Sequence, residues 1–324
     1  MKLFQFTGTG EILITERSKE GEGVKVKINR ILFSPYDLNL FLGKIKTCYP
    51  VTPCSMATAI ISEDTGEFKQ GQKVMLNPFF YEEDSDKYKM YGKDAPGFFC
   101  DFTRLPPENV ISMQDIKEED GIFLCYVAQA IAILDSLKLE KGDYVTLIGA
   151  SPVMNILAQL ILYYQGIPIV ISNDSLKLQK ARENGVYYTI NATAESPYER
   201  VMAITGGRLA ESGVYSSMET TSANYMLELL QEGGKAVIMG LKESVARLEL
   251  DISPIYKKGL TLSGISDYRT KIDGAVNILM QDILKLKNLC DRTADLSDMD
   301  NVAALLNQWS ENTSYCCCPI VKTI

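Results

Sequence analysis

Residues 144–172, YVTLIGASPVMNILAQLILYYQGIPIVIS, decide the fold. The stretch opens with five residues, 144–148, apolar enough for burial yet too short for a helix, and Gly149 bounds them. Val153, Ile156, Leu157, Leu160, Ile161 and Tyr164 follow at the i, i+3, i+4, i+7 spacing of one buried helix face. Gly166 marks a helix stop, and residues 167–171 form a second apolar run. Strand, glycine turn, helix and strand make a βαβ unit. Its strands must run parallel, with both faces of the sheet covered.

The turn Gly149-Ala150-Ser151-Pro152-Val153-Met154 is an eroded form of G-x-G-x-x-G, the pattern that seats a pyrophosphate on a helix N-terminus. Gly149, the tight-turn glycine, remains. Ser151 stands where a bare backbone would approach the phosphates, and Met154 where a third glycine lets helix and strand pack closely. Gly149, Ser151, Pro152 and Val153 are the candidate phosphate-side residues. Taken alone, the turn also fits a structural corner that holds no ligand.

At 324 residues the chain can form two domains or one large one, and 46% apolar with 23% charged residues is ordinary for a globular enzyme. A net charge of −8 without a basic cluster argues against a nucleic-acid partner. The longest apolar stretch, 154–171, is broken by Asn155, Gln159, Gln165, Gly166 and Pro168, so it reads as helix then strand rather than a membrane span. Residues 1–7 alternate like a strand and lack the apolar core of a signal peptide, which points to the cytoplasm. The eight cysteines include no C-x-x-C pair, hence neither a disulfide framework nor a zinc ribbon. Adjacent Cys316, Cys317 and Cys318 cannot converge on one ion from a strand, and small buried hydrophobes are the expected role. Histidine is absent altogether, which excludes imidazole bases, histidine metal triads and Ser-His or Cys-His nucleophiles.

Residues 1–120 are dense in short alternating segments at 24–29, 57–62, 72–76, 98–104 and 110–113, a β-rich module of barrel-like character. Residues 78–95, acidic amid tyrosines, read as a solvated loop. Near residue 120 the pattern changes. Residues 123–137 have helical spacing, and beyond the βαβ unit strands at 213–218, 235–239 and 259–263 alternate with helices at 176–184 and 224–231, which argues for a doubly wound parallel sheet. Helices at 275–287 and 301–309 precede a strand-like PIVKTI.

In this order the pieces resemble the medium-chain dehydrogenase/reductase superfamily, the zinc alcohol and polyol dehydrogenases and their zinc-free reductase relatives. The resemblance rests on VKVKINRILFSPYDLNLFLGK (24–44), TGEFKQGQKVMLNP (65–78), PGFFCDFTRLPPENVISM (96–113), KLEKGDYVTLIGASPV (138–153), KLQKARENGVYYTIN (177–191) and GGKAVIMG (233–240). It implies an α/β chain with a GroES-like β-barrel domain over 1–120, completed by 271–324, and a Rossmann cofactor domain over 121–270. It also implies a homodimer or homotetramer acting on a small molecule.

Departures from the family pattern shape the expected chemistry. The family's zinc-ligand positions carry Ser34, the triplet Cys54-Ser55-Met56, and Cys125, and the structural-zinc loop corresponds to the cysteine-free 78–95. A catalytic zinc wants about three His, Cys or carboxylate ligands, so both zincs are expected to be absent. Ser34-Pro35-Tyr36-Asp37 resembles the Asn-Pro-x-Asp of zinc-free reductases. The position whose acid normally binds the adenosine ribose is Ser172, followed by Asn173 and, a turn on, Lys177, a set that favours NADP(H) over NAD(H). Ser172 also fits a plain cap for the next helix. The resemblance makes Gly240 a further cofactor-side residue. The expected activity is hydride transfer to or from a small carbonyl, alcohol or conjugated C=C, with hydroxyls meeting the oxyanion. Tyr36 is the expected proton donor, Ser34 and Ser55 the orienting groups, and Tyr126 and Tyr49 further candidates. The alternative is a retired dehydrogenase fold serving as a nucleotide-binding or scaffold protein. No cationic clamp for a charged substrate stands out.

Overall fold

The computed structural model describes residues 1–17, 22–216, 223–239, 250–290, 292–311 and 319–322. Two compact units divide the chain: Met1–Cys125 together with Leu279–Ile324, and Tyr126–Ile278. Among the described residues no helix is long and apolar enough to cross a membrane.

The second unit is built on the βαβ stretch. Its six strands lie in the order Tyr188–Asn191, Ile167–Ser172, Tyr144–Ile148, Ala210–Ser216, Leu230–Met239, Thr261–Ile265. Every pairing is parallel. In chain order this is 3-2-1-4-5-6, the doubly wound Rossmann sheet, and the direction of winding reverses between Tyr144–Ile148 and Ala210–Ser216. Val145, Leu147 and Ile148 are fully buried, as a strand covered on both faces must be. The helix Pro152–Tyr163 departs from the one-face expectation: all ten residues from Pro152 to Ile161 are buried. Its two inward polar side chains are matched to each other. Gln159 Nε2 donates to Asn155 Oδ1 at 3.2 Å, and Asn184 Nδ2 donates to the same oxygen at 2.6 Å.

On the opposite face Ile148, Ile169, Ile171 and Tyr215 pack with Met226, Leu227 and Leu230 in one core. The helix expected over 224–231 is Ala223–Glu228, and the strand after it runs from Leu230 straight through Gly233 and Gly234 to Met239. Lys258 closes the end of that short helix, its ammonium donating to the carbonyls of Leu227, Glu228 and Leu230 at 3.3, 2.8 and 2.7 Å. Gly259, read as the start of a strand, sits instead at φ +61° as the left-handed cap of the helix Ser253–Lys258, and the strand begins at Thr261. The helix expected over 275–287 is shifted and shortened to Ile272–Met280, with Asp282 at φ +52° just beyond it.

The first unit holds a seven-stranded sheet. Its path runs Thr293–Asp295, Ile320–Lys322, Val24–Leu32, Met56–Ile61, Lys73–Leu76, Val110–Ser112, and Phe102–Leu105 pairs with Val24–Leu32 on the edge opposite Met56–Ile61. Chain-terminal strands thus complete a sheet begun at residue 24, with Ile320 opposite Leu32. Phe6, Phe33, Phe41 and Phe99 stack beneath it at centroid separations of 5.1–6.0 Å. Residues 78–95 are not a plain loop: Phe79–Glu82 and Lys87–Met90 form an antiparallel hairpin. Tyr81 meets Tyr88 across it with rings 5.2 Å apart, and Glu82 pairs with Lys89. The acids gather in the tight turn, Glu83–Ser85, and left-handed Asp86 closes it. Counting charge hid the aromatic cross-strand pairing that makes it a hairpin.

Candidate functional site

Two strand-to-helix junctions carry most of the expected site residues. At the first, strand Val24–Leu32 leads into helix Pro35–Phe41. Ser34 is its N-cap, its Oγ accepting from the Asp37 amide at 3.3 Å. Asp37 answers: its Oδ2 accepts from the Ser34 amide at 2.7 Å and from the Ser34 hydroxyl at 2.6 Å, a complete capping box. The other Asp37 oxygen, Oδ1, accepts from the Cys54 amide at 2.9 Å. Asp37 is buried, and desolvation raises its pKa against the lowering effect of these donors. This carboxylate ties the first turn of the Tyr36 helix to Cys54, which holds a left-handed φ of +75° immediately before Ser55. Gly92 presses on the same segment, because a Cβ there would lie 2.6 Å from the Cys54 carbonyl carbon.

Tyr36 lines a cavity of about 230 Å³ together with Gln5, Thr47, Thr52 and Lys93, and the Lys93 ammonium lies 5.9 Å from the Tyr36 ring centre. Ser55 is half-buried beside Cys54. Tyr49 is turned to structural use, its hydroxyl within reach of the Leu40 and Ile45 carbonyls at 3.0 and 3.1 Å. Tyr126, 9% exposed, belongs to helix Leu124–Leu137 in the second unit.

The donor set does not fit a catalytic zinc. Cys54 and Cys125 are buried, and burial pushes the Cys54 thiol well above its ordinary value and that of Cys125 up to about 12. Ser34 is engaged by Asp37, and Met56 lies in the core of strand Met56–Ile61. Among the described residues no cluster of three metal-ligating side chains occurs. Cys316–Cys318 lie outside the described residues.

The second junction joins strand Tyr144–Ile148 to helix Pro152–Tyr163. Gly149 turns the chain at φ +105°, its amide donating to the Ile171 carbonyl at 2.9 Å. Ser151 caps the helix, Oγ accepting from Met154 at 3.4 Å, and proline occupies the first helical position. The first turn contains no acid. The helix therefore places no anion of its own at the positive dipole end, where the sheet reverses its winding.

A further side chain, missed in the sequence, belongs here. Ile148 is in register with Tyr215, and both face the core that contains Met226 and Leu227. Alternation puts Ser216, the next residue, on the other face. Right-handed crossovers place helix Pro152–Tyr163 on that face. The Ser216 hydroxyl is buried and has no hydrogen-bond partner among the described residues. An orphaned buried hydroxyl costs about 1–3 kcal/mol unless something supplies a partner. Glycine turn, acid-free helix end and orphan hydroxyl fit a phosphate-bearing nucleotide. No local motif marks Ser216; only the strand order brings it beside Gly149.

At the end of strand Ile167–Ser172, the Ser172 hydroxyl accepts from the Asp174 amide at 3.1 Å. The reading of Ser172 as the helix cap is corrected: Asp174 is the N-cap, Oδ1 accepting from Leu176 and Lys177 at 2.9 and 3.3 Å. Asn173 is exposed and Lys177 buried at 4% exposure. Gly240 lies outside the described residues.

These features define a doubly wound α/β protein, and comparison with known proteins narrows it. Residues 152–281 match the family model described as zinc-binding dehydrogenase. L-threonine 3-dehydrogenase of Sinorhizobium medicae is 29% identical over 54% of this chain, and the match spans about half, 50%, of that protein. Sorbitol dehydrogenase of Halalkalibacterium halodurans is 22% identical over 90% of this chain and 92% of its own length. Among solved structures, a short chain alcohol dehydrogenase from E. coli CFT073, complexed with NADH, superposes with TM-score 0.84 at 18% identity, covering 99% of both chains. A putative zinc-binding dehydrogenase from Sinorhizobium meliloti 1021, bound to NADP, gives TM-score 0.84 at 16% identity, covering 99% of this chain and 98% of its own. Over residues 152–281 the chain is thus similar to the zinc-binding dehydrogenases, and its fold is the one the solved alcohol dehydrogenases share.

Proposed function

We propose that the protein is an NAD(P)H-dependent oxidoreductase that works without zinc on a small carbonyl, alcohol or conjugated C=C compound. The observation that carries this reading is the acid-free helix end at Ser151, with Gly149 before it and the orphan Ser216 hydroxyl beside it. NADP(H) is the favoured cofactor, because Ser172 replaces the ribose-binding acid. Gly149, Ser151, Pro152 and Val153 would meet the pyrophosphate, and Ser172, Asn173 and Lys177 the adenosine ribose. Bound nicotinamide supplies or accepts the hydride. Tyr36 holds the proton for the substrate oxygen from the wall of its cavity. Ser34 acts through its cap on the Tyr36 helix, Ser55 offers a hydroxyl in the same unit, and Tyr126 is the candidate on the second unit. A homodimer or homotetramer follows by likeness to the superfamily.

The first test is thermal shift. A ligand at about 100 times its Kd adds about 2.7 kcal/mol, so NADPH should raise the melting temperature by roughly 5 °C or more. If neither NADPH nor NADH moves it, the retired-scaffold reading replaces this one; the engagement of Ser34 by Asp37 is what favours that second reading. With turnover in hand, Tyr36→Phe should lower kcat about 100-fold with KM nearly unchanged. Unaltered turnover would remove Tyr36 from the chemistry.

A further inference from the structure

The first unit contains a second cavity, of about 350 Å³, whose lining brings together Arg17, Lys25 and Arg104 with Tyr91, Phe102 and Thr103. No carboxylate is among its described lining residues. Far apart in sequence, the three cations meet through pairing. Lys25 and Arg104 are direct cross-strand partners on antiparallel Val24–Leu32 and Phe102–Leu105. Arg17 follows strand Ile12–Glu16, its amide bonded to the Met1 carbonyl at 2.9 Å, and that hairpin is joined to Cys100 through Leu3.

Like charges directly opposite each other destabilise a strand pair unless a counter-charge is near, and Glu63 supplies one to Arg104. The Arg104 guanidinium is oriented by Glu63 at 2.8 Å and by the Gly23 carbonyl at 3.0 Å. The Lys25 ammonium lies 5.8 Å from the Phe102 ring centre. Burial, then Glu108, raises the pKa of Tyr91, which keeps its phenol a donor. Three cations and a phenol lining one cavity match a phosphate group, and guanidinium forks suit its oxygens. The Phe102 and Tyr91 rings offer an apolar seat for what the phosphate is attached to.

We propose that this cavity is a binding site for a small organic phosphate monoester, separate from the nucleotide site of the second unit. It stands whether or not the oxidoreductase reading does. The test is calorimetric titration of the intact chain with phenyl phosphate, with and without saturating NADH, which would fill the Gly149 turn but carries no phosphate monoester. Saturable binding is expected below about 10 mM, stronger than for inorganic phosphate and weakened by added salt. Arg17→Met and Lys25→Met should each raise Kd about tenfold, and the two together about 100-fold. Arg17 is exposed, so its variant folds even if that of Lys25 does not. Absence of saturable binding, an unchanged Kd in Arg17→Met, or benzoate binding as tightly as phenyl phosphate would overturn the proposal.

Discussion

The two strand-to-helix junctions share one local grammar and reach opposite electrostatic ends. Both read Ser-Pro after a strand, Ser34-Pro35 and Ser151-Pro152, with serine as N-cap and proline at the first helical position. At the third helical position they part. Asp37 places a buried carboxylate on its own helix end, while Met154 places a thioether there and leaves the dipole without an internal anion. One helix end meets an anion of its own and holds a loop in place; the other carries no acid in its first turn. The identity of a single side chain, three residues beyond the cap, decides whether a helix end meets an anion of its own.

The largest way to break this contrast is to remove the internal anion. Asp37→Ala deletes the acceptor of three hydrogen bonds and should cost about 3 kcal/mol, read as a drop in melting temperature. Asp37→Asn separates charge from shape. Since burial raises the folded-state pKa of Asp37, its favourable contribution is present below the unfolded value and fades as pH rises through the folded one. The stability of the wild type relative to Asp37→Asn should therefore decline from acid toward neutral pH. A difference that grows with pH would contradict the assignment of desolvation as the dominant cause.

Paired cap deletions sharpen the comparison further. Ser34→Ala removes a cap and a donor to a buried carboxylate, about 2 kcal/mol, whereas Ser151→Ala removes a cap alone, about 1 kcal/mol. Equal losses would mean that Asp37 adds nothing at the first junction. Ser216→Ala carries the smallest effect on folding and the most specific one on binding. The melting temperature of the free protein should not fall, because the hydroxyl has no partner among the described residues, while Kd for NADPH should rise about tenfold. A destabilised free protein with unchanged Kd would mean that the hydroxyl serves the core instead.

The second unit was legible in the sequence because buried parallel strands are continuous apolar runs set off by glycine. Its boundaries slipped where glycine does two jobs: Gly259 caps a helix, and Gly233-Gly234 lie inside a strand. The hairpin at Phe79–Glu82 and Lys87–Met90 was hidden by its acidic turn. For the site, Gly149 and Ser151 announce themselves locally, and Asp174 was available as the stronger cap beside Ser172. Ser216 and the meeting of Arg17, Lys25 and Arg104 could not be read, because strand order and cross-strand register create them.

The pairing of Leu32 with Ile320 bears on biosynthesis. Strand Val24–Leu32 leaves the ribosome early, yet the neighbour on that side is made 288 residues later. The intervening Rossmann unit is contiguous in sequence and has every strand it needs before that neighbour exists. Domains fold as units during translation, so the inserted unit matures while the N-terminal sheet still carries an open edge. A nascent chain halted short of residue 320 should thus resist protease across Tyr126–Ile278 and remain cleavable toward its beginning.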